Sequence, residues 1–221
     1  MKHILQRAMG AQDEYESHIV NIFELINKNI SAFRPGNLLD VGCGNGDRTL
    51  RLAKWLGVDT AHIFGIDSHA PYVQQCQSSF NAVQVDLESG NLSYENDTFD
   101  LVTCNQVLEH LKNYHGIIDE IIRVTKSEGY IIIGIPNLAH LLNRAYLIFG
   151  IQPMCIAVPS SHVRGFTHAA FVQLLQSMPA ITYIACMGSK LIYPLPLLLA
   201  KALSRIYPGL CAYVCYLIRK Q

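Results

Sequence analysis

Five short apolar runs alternate with helix-like segments, and this alternation constrains the fold more than any other feature of the sequence. Each run is rich in Val and Ile and is followed by a polar or helix-like stretch. The runs are 38–42, 62–67, 82–86, 99–104 and 130–136. Because near-continuous apolar strands separated by helices form parallel sheets that are covered on both faces, the pattern predicts an α/β fold.

Further segments complete the predicted architecture. Residues 13–34 carry an apolar stripe at helical spacing that Pro35 and Gly36 interrupt. A helix is expected from about Thr167 to Ser177, and two late strands at 181–186 and 212–218. A length of 221 residues, half of them hydrophobic, favours one domain. Within it we predict an N-terminal covering helix at 11–34, a core at 35–137, a substrate cover at 138–168, and the last helix and strands at 169–221.

Charge and cysteine usage exclude several classes of protein. Seventeen Lys and Arg balance seventeen Asp and Glu, which disfavours a nucleic-acid partner. The seven cysteines are an odd number and form no C-x-x-C pair, so we expect a reducing compartment and no metal site. Arg7 interrupts the first apolar stretch too early for a signal peptide. A cytoplasmic location is therefore expected.

The stretch NLLDVGCGNGDRTL, residues 37–50, places three glycines at alternate positions between a strand and a helix. Glycines at a strand end let the backbone approach a ligand closely. A dinucleotide fingerprint needs its third glycine at position 47, which is Asp here. Because a carboxylate at a helix N-terminus opposes a pyrophosphate, the stretch favours a cationic or neutral ligand.

The D-x-G-x-G-x-G pattern of this stretch resembles the cofactor loop of class I S-adenosylmethionine-dependent methyltransferases. Three later stretches, FGIDS, VQVDLES and FDLVTCNQVLEHL, are similar to that family's other cofactor motifs. The resemblance covers residues 35–137 and is nearest to the ubiquinone-biosynthesis-type small-molecule methyltransferases. It implies S-adenosylmethionine as cofactor and a Rossmann-like, doubly wound, seven-stranded mostly parallel sheet with an antiparallel C-terminal hairpin.

The same resemblance implies a role for each motif residue. Asp67 would accept from both ribose hydroxyls, and Asp86 from the adenine amino group. The backbone carbonyl of Asn105 would accept a hydrogen bond from the methionine amino group. Asp40 would interact with the same amino group through a water molecule. The implied cofactor-binding set is Asp40, Gly42, Cys43, Gly44, Asp67, Ser68, Asp86, Leu87 and Asn105.

The acceptor side is less constrained by the sequence. In-line methyl transfer needs mainly two partners held at close distance, and a base only where the acceptor must lose a proton. His110 and His162 are the candidate bases, and Arg164 and Phe166 the candidate substrate contacts. Each has a plainer interpretation, as the polar face of a short helix for His110 and as a solvated loop for the others. The expected acceptor is a small molecule, lipid-like or glycan-related.

Two questions stay open at this stage. The apolar residues 191–218 are too interrupted for a membrane-spanning helix, so they either pack on the core or make a peripheral membrane contact. A methyltransferase-like binding subunit without turnover is the competing function. A nicotinamide oxidoreductase ranks third, because Asp47 and the lack of a Tyr-x-x-x-Lys pair disfavour it.

Overall fold

The computed structural model describes residues 11–191 and 197–221, with side chains over 19–191 and 202–221. Its centre is one seven-stranded sheet. The strands are β1 (Leu38–Val41), β2 (Ile63–Asp67), β3 (Asn81–Gln84), β4 (Phe99–Asn105), β5 (Thr125–Pro136), β6 (Ile181–Ser189) and β7 (Tyr213–Lys220). Their order in the sheet is β3-β2-β1-β4-β5-β7-β6.

The first five strands run parallel, whereas β7 is antiparallel to both β5 and β6. All seven predicted strands are present, so the predicted α/β class with its antiparallel C-terminal hairpin is confirmed. The strand order reverses between β1 and β4. In open α/β sheets ligands bind beyond the carboxyl ends of the strands at such a switch point, which directs attention to the residues after β1 and β4.

Seven α-helices are described. They are α1 (Ala11–Asn29), α2 (Asp47–Leu56), α3 (Ala70–Gln77), α4 (Tyr114–Val124), α5 (Leu141–Ile148), α6 (His168–Gln176) and α7 (Leu197–Ile206). Among the helices just given, none combines the length and the apolarity that crossing a bilayer requires.

The helices cover the sheet on both faces, which explains why the strands are apolar on both sides. Ile118 of α4 and Leu175 of α6 are buried on one face. Ile26 of α1, Leu52 of α2 and Val73 of α3 are buried on the other. The sheet therefore separates two apolar layers and leaves its carboxyl edge to the loops.

The N-terminal helix ends earlier than the sequence predicts. It stops at Asn29 rather than near residue 34, and Ala32 has a left-handed backbone with φ 52°. Just after this turn, Phe33 packs its ring against Tyr130 of β5, with centroids 5.0 Å apart. The turn, and not Pro35, ends the helix.

The segment expected to cover the substrate contains a helix that the sequence reading did not include. Helix α5 and a 3₁₀ turn at Met154–Ile156 lie within 138–168. Both ends of this segment meet at the sheet, since Leu138 N donates to Phe166 O at 2.7 Å. The buried amide of Asn137 donates to the carbonyls of Gly209 and Cys211. The segment is thus an excursion that starts and ends beside β5.

Candidate functional site

The glycine-rich turn after β1 is fastened to the end of β2. The backbone N–H groups of Gly42 and Cys43 both donate to the carbonyl of Ile66, at 2.7 and 3.0 Å. Gly44 N donates to Asp67 Oδ2 at 2.9 Å. The predicted ribose-binding carboxylate therefore stands directly beside the predicted cofactor loop.

Packing explains two of the three glycines but not the third. All three have positive φ. A Cβ built on Gly42 would lie 2.2 Å from Val107 Cγ2, and one built on Gly46 would lie 2.8 Å from Phe80 Cε1. A Cβ on Gly44 would meet nothing within 4 Å. Gly44 consequently opens onto unfilled space beside Asp67, as expected where a ligand approaches the backbone.

Asp40 is a buried carboxylate whose two oxygens have protein partners. Thr49 Oγ1 donates to Asp40 Oδ2 at 2.5 Å, and Thr103 Oγ1 donates to Oδ1 at 2.7 Å. Burial raises the pKa of Asp40, and the two hydroxyl groups oppose that rise. These contacts account for Asp40 without a ligand. Its contact with a cationic amino group stays a prediction.

Asp67 organises the backbone on both sides of it. Besides Gly44, its carboxylate accepts from His69 N at 2.8 Å through Oδ1. Helix α3 begins at Ala70 with His69 as its N-cap residue, so Asp67 orders the approach to the helix without being its cap. Ser68 is exposed, and its carbonyl accepts from the amide of Gln84.

Asp86 lies at the neighbouring strand end, as its motif predicts. Val85 N donates to Asp67 O at 3.1 Å, which joins the ends of β2 and β3. The exposed carboxylate of Asp86 accepts from Glu88 N and begins a 3₁₀ turn at Leu87–Ser89. The side chain of Leu87 is buried in this turn.

Two further predicted cofactor-binding residues are buried, Asn105 at the end of β4 and Cys43 in the glycine-rich turn. Asn105 ends β4 in a buried position, and Gln106 follows with φ 60°, its N–H donating to Gly134 O. The Cys43 thiol lies 4.0 Å from Cys76 Sγ, and burial raises its pKa. Cys43 is thus a core thiol, and its backbone is what the loop presents.

A carboxyl group that the sequence analysis did not select lies beside the two predicted bases. Glu109 is 0% exposed, and neither carboxylate oxygen has a hydrogen-bond partner. Burial raises its pKa to about 7. One ligand atom each of Glu109, His110 and His162 fall within 4.8 Å of one another. We name these three residues the Glu-His-His cluster.

A backbone carbonyl contacts Nδ1 of each histidine in the cluster. His110 Nδ1 lies 3.2 Å from Ser161 O, and His162 Nδ1 lies 2.5 Å from Cys155 O. A carbonyl only accepts, so Nδ1 of His162 carries the proton and its Nε2 keeps its lone pair when the ring is neutral. Nδ1 of His110 also lies 3.1 Å from the hydroxyl of Ser161, which can donate or accept, so both tautomers of His110 fit. Burial, with His162 adding to it, lowers the pKa of His110. Burial therefore favours the neutral form of His110.

The Glu-His-His cluster has two chemical capacities. A neutral imidazole and a carboxyl with a pKa near the working pH can exchange a proton with a bound molecule. Two imidazoles and a carboxylate are also ligands that zinc and iron accept, and carbonyl-bound Nδ1 atoms are the usual support of such ligands. The sequence predicted no metal, so the assembly of these three groups is a finding of the structure.

The two predicted substrate contacts have different surroundings. Arg164 is exposed, with its guanidinium 4.5 Å from the ring centre of Tyr114. Phe166 is buried, and its ring packs edge-on against Tyr114 at 5.3 Å and Phe171 at 5.5 Å. Phe166 is therefore a core side chain here, because its backbone pairs with Asn137 at the end of β5. Arg164 as a substrate contact stays a prediction.

Comparison with known proteins agrees with this geometry. Residues 39–133 match the family described as "Methyltransferase domain". Demethylmenaquinone methyltransferase of Bacillus mycoides is 35% identical over 106 residues, 45% of this chain and 44% of that protein. Norajmaline N-methyltransferase of Rauvolfia serpentina is 32% identical over 108 residues, 45% of this chain and 36% of that protein. The chain thus spans less than half of these curated relatives.

A solved structure extends the likeness in fold to the whole chain. A SAM-dependent methyltransferase from Thermotoga maritima superimposes with a TM-score of 0.67 at 19% identity, and the match covers 100% of both chains. At that identity the likeness concerns the fold. The family match at residues 39–133 includes the turn after β1 and the ends of β2, β3 and β4.

Replacing Gly44 by valine should abolish binding of S-adenosylhomocysteine and leave the protein folded. The branched side chain would fill the open space and resist the φ of 55°. Calorimetric titration and circular dichroism test both halves of this expectation. Gly150→Val is the matched control, since Gly150 also has a positive φ and open space but lies outside the site. Normal binding by the Gly44 variant would contradict the cofactor placement.

The pKa of Glu109 predicts a pH dependence of stability. Its folded pKa of about 7 exceeds the ordinary carboxyl value of 4.5, so the unfolded chain releases this proton first as pH rises. The free energy of unfolding should then fall by about 3 kcal/mol between pH 4.5 and 7 on account of this group. Urea unfolding should show that Glu109→Gln removes this fall, whereas exposed Glu95→Gln keeps it. Parallel pH curves for wild type and Glu109→Gln would contradict the raised pKa.

Proposed function

Because residues 39–133 match the family described as "Methyltransferase domain", we propose that this protein is a class I S-adenosylmethionine-dependent methyltransferase. It transfers a methyl group to a small, lipid-like or glycan-related acceptor. The family and its solved neighbours imply S-adenosylmethionine as the cofactor. The observation that carries the proposal is the open space at Gly44, which no packing explains and which Asp67 borders.

The residues present fit this cofactor. Gly44 leaves room for it, Asp67 and Asp86 supply carboxylates at adjacent strand ends, and Asn105 ends the strand on the other side of β1. One carboxylate offers two acceptor oxygens, which suits the paired hydroxyls of a ribose. When bound, S-adenosylmethionine supplies a sulfonium methyl group that is open to in-line displacement.

The chain's own part in the reaction is to hold the acceptor, exclude water and move a proton where one must leave. Positioning alone supplies much of the rate in such transfers. For an acceptor that must lose a proton, His110 Nε2 is the first candidate base, because Ser161 occupies the other ring nitrogen through its carbonyl and its hydroxyl. His162 is the second. Buried Glu109, which has no hydrogen-bond partner, would take part through the same cluster.

The identity of the acceptor depends on segments outside the shared core. The two curated relatives are named for different acceptors. The name of the first gives demethylmenaquinone, and that of the second gives a nitrogen atom of norajmaline. Both match only about a hundred residues of this chain, so the matched part does not determine the acceptor. We assign the choice to the cover at 138–168, which carries His162 and Arg164. A nucleic-acid acceptor stays disfavoured by the balanced charge.

A binding subunit without turnover has less support. Such a protein would need the cofactor pocket but no proton acceptor beside it. Glu109 of the Glu-His-His cluster imposes a cost on folding, since an unpaired buried carboxyl group is unfavourable. That cost is understandable for a catalytic site and has no explanation in a binding module.

Replacing Asp67 by alanine should weaken S-adenosylhomocysteine binding by about 1.5 to 3 kcal/mol, the range for hydrogen bonds to a charged group. Asparagine should keep part of the affinity. Calorimetric titration measures both, and Asp119→Ala is the control that removes an exposed carboxylate on α4. Unchanged affinity in Asp67→Ala would refute the ribose assignment. A survey of small-molecule acceptors with S-adenosylmethionine, demethylmenaquinone included, then tests turnover.

A further inference from the structure

The chain divides its charge sharply along its length. All seventeen Asp and Glu residues occur at or before Glu128, whereas residues 129–221 contain seven Lys and Arg and no acidic residue. The first part therefore has a formal charge of about −7 and the second about +7. The strands β1, β2 and β3 belong to the negatively charged part, and β6 and β7 to the positively charged part. The two kinds of charge are therefore carried at opposite edges of the sheet.

Part of the positive charge is compensated across the boundary. Arg205 pairs with Glu24, Arg219 with Glu128 and Lys220 with Asp97. Arg144 instead donates to the carbonyl of Ala139, and Arg164 lies over the ring of Tyr114. A carbonyl and an aromatic ring do not neutralise a guanidinium, so these two cations remain sources of positive potential on the 138–168 segment.

The same segment exposes an unusual amount of apolar surface. Seven apolar side chains between residues 147 and 163 are more than half exposed, and three of them reach 77% to 90%. We call this set the apolar loop: Leu147, Ile148, Phe149, Ile151, Met154, Val158 and Val163. The loop folds on itself, since Ile151 N donates to Tyr146 O and Gln152 Nε2 donates to Ile156 O. Apolar surface gathered in this way marks an interaction site.

We propose that the apolar loop inserts into the surface of a membrane that contains anionic lipids. Apolar side chains next to cations, with no acidic residue in that part of the sequence, suit the boundary between acyl chains and anionic headgroups. Side chains as exposed as Ile148, Phe149 and Val158 protrude from the surface. A lipid interface closes around such protrusions, whereas a protein partner would need a matching pocket for each.

The loop is also a wall of the candidate site. Val163 N donates to Glu109 O at 2.9 Å, and the carbonyls of Cys155 and Ser161 hold the two histidines of the cluster. A molecule leaving the bilayer at the apolar loop would therefore arrive beside the Glu-His-His cluster. This connection rests on the proposed function and makes its acceptor a membrane-resident lipid. Of the predicted contact region 191–218, the structure describes Ile206 and Tyr207 as exposed apolar residues.

Co-sedimentation of the full-length chain with lipid vesicles tests the proposal. The protein should bind phosphatidylcholine vesicles that contain phosphatidylglycerol, bind vesicles of phosphatidylcholine alone more weakly, and release at high salt. The variant Ile148→Asp with Phe149→Asp should bind at least about tenfold more weakly, since two apolar anchors are lost and two negative charges are added. Tyr72→Asp with Val83→Asp makes the same charge change at exposed positions in the acidic part and should bind normally.

Three results would overturn the proposal. They are no vesicle binding by the unaltered protein, equal loss in both double variants, and unchanged binding by the Ile148 and Phe149 variant. A concentration-dependent dimer without vesicle binding would assign the apolar loop to a second copy of the chain. Calorimetry with S-adenosylhomocysteine on the same variants separates this test from that of the proposed function, because cofactor affinity should be unchanged in all of them.

Discussion

The hydrogen-bonded carboxylate of Asp40 ties together the three elements on which the candidate site depends. Asp40 lies in β1, and its oxygens accept from Thr49 in α2 and Thr103 in β4. The glycine-rich turn begins just after Asp40 and ends just before Asp47, so its two ends are fixed through one side chain. A buried carboxylate without such partners would be costly. The hydrogen bonds from the two hydroxyl groups offset the cost of burying the carboxylate and hold the two ends of the turn in place.

From this junction the site divides into two halves with different origins. The half around Gly44, Asp67 and Asp86 consists of consecutive strand ends and lies within the matched residues 39–133, which also include Glu109 and His110. The other half is formed by Glu109 and His110 after β4 and by a segment that returns from far along the chain to supply His162. Nothing in the strand pattern fixes that second half. The acceptor side of such a protein can therefore change while the cofactor side stays the same.

The sequence allowed prediction of the strands, and of the closeness of the ends of β1, β2 and β3, because both depend on local pattern. Apolar runs mark strands wherever they occur, and Asp67 and Asp86 are recognisable by their positions at strand ends. The burial of Glu109 depends instead on a contact with residues 163 and 164, more than fifty positions away. A carboxylate set between Leu108 and Leu111 was the available signal. The burial of Phe166 could not be predicted for the same reason, since its pairing with Asn137 is non-local.

The burial of Glu109 links proton chemistry to the position of the 138–168 segment. Val163 and Arg164 both donate their backbone N–H groups to the carbonyl of Glu109, so this segment helps to keep water from the carboxyl group. Burial is the largest cause of the raised pKa, and a displacement of the segment that admitted water would lower it. If an acceptor enters past the apolar loop, its entry would let water reach Glu109. Closure of the segment over the bound acceptor would exclude that water again. Closure over the acceptor would then bring the pKa of Glu109 back to about 7, where a carboxylate is a stronger base than in water. The enclosing segment would thus govern when the cluster can accept a proton.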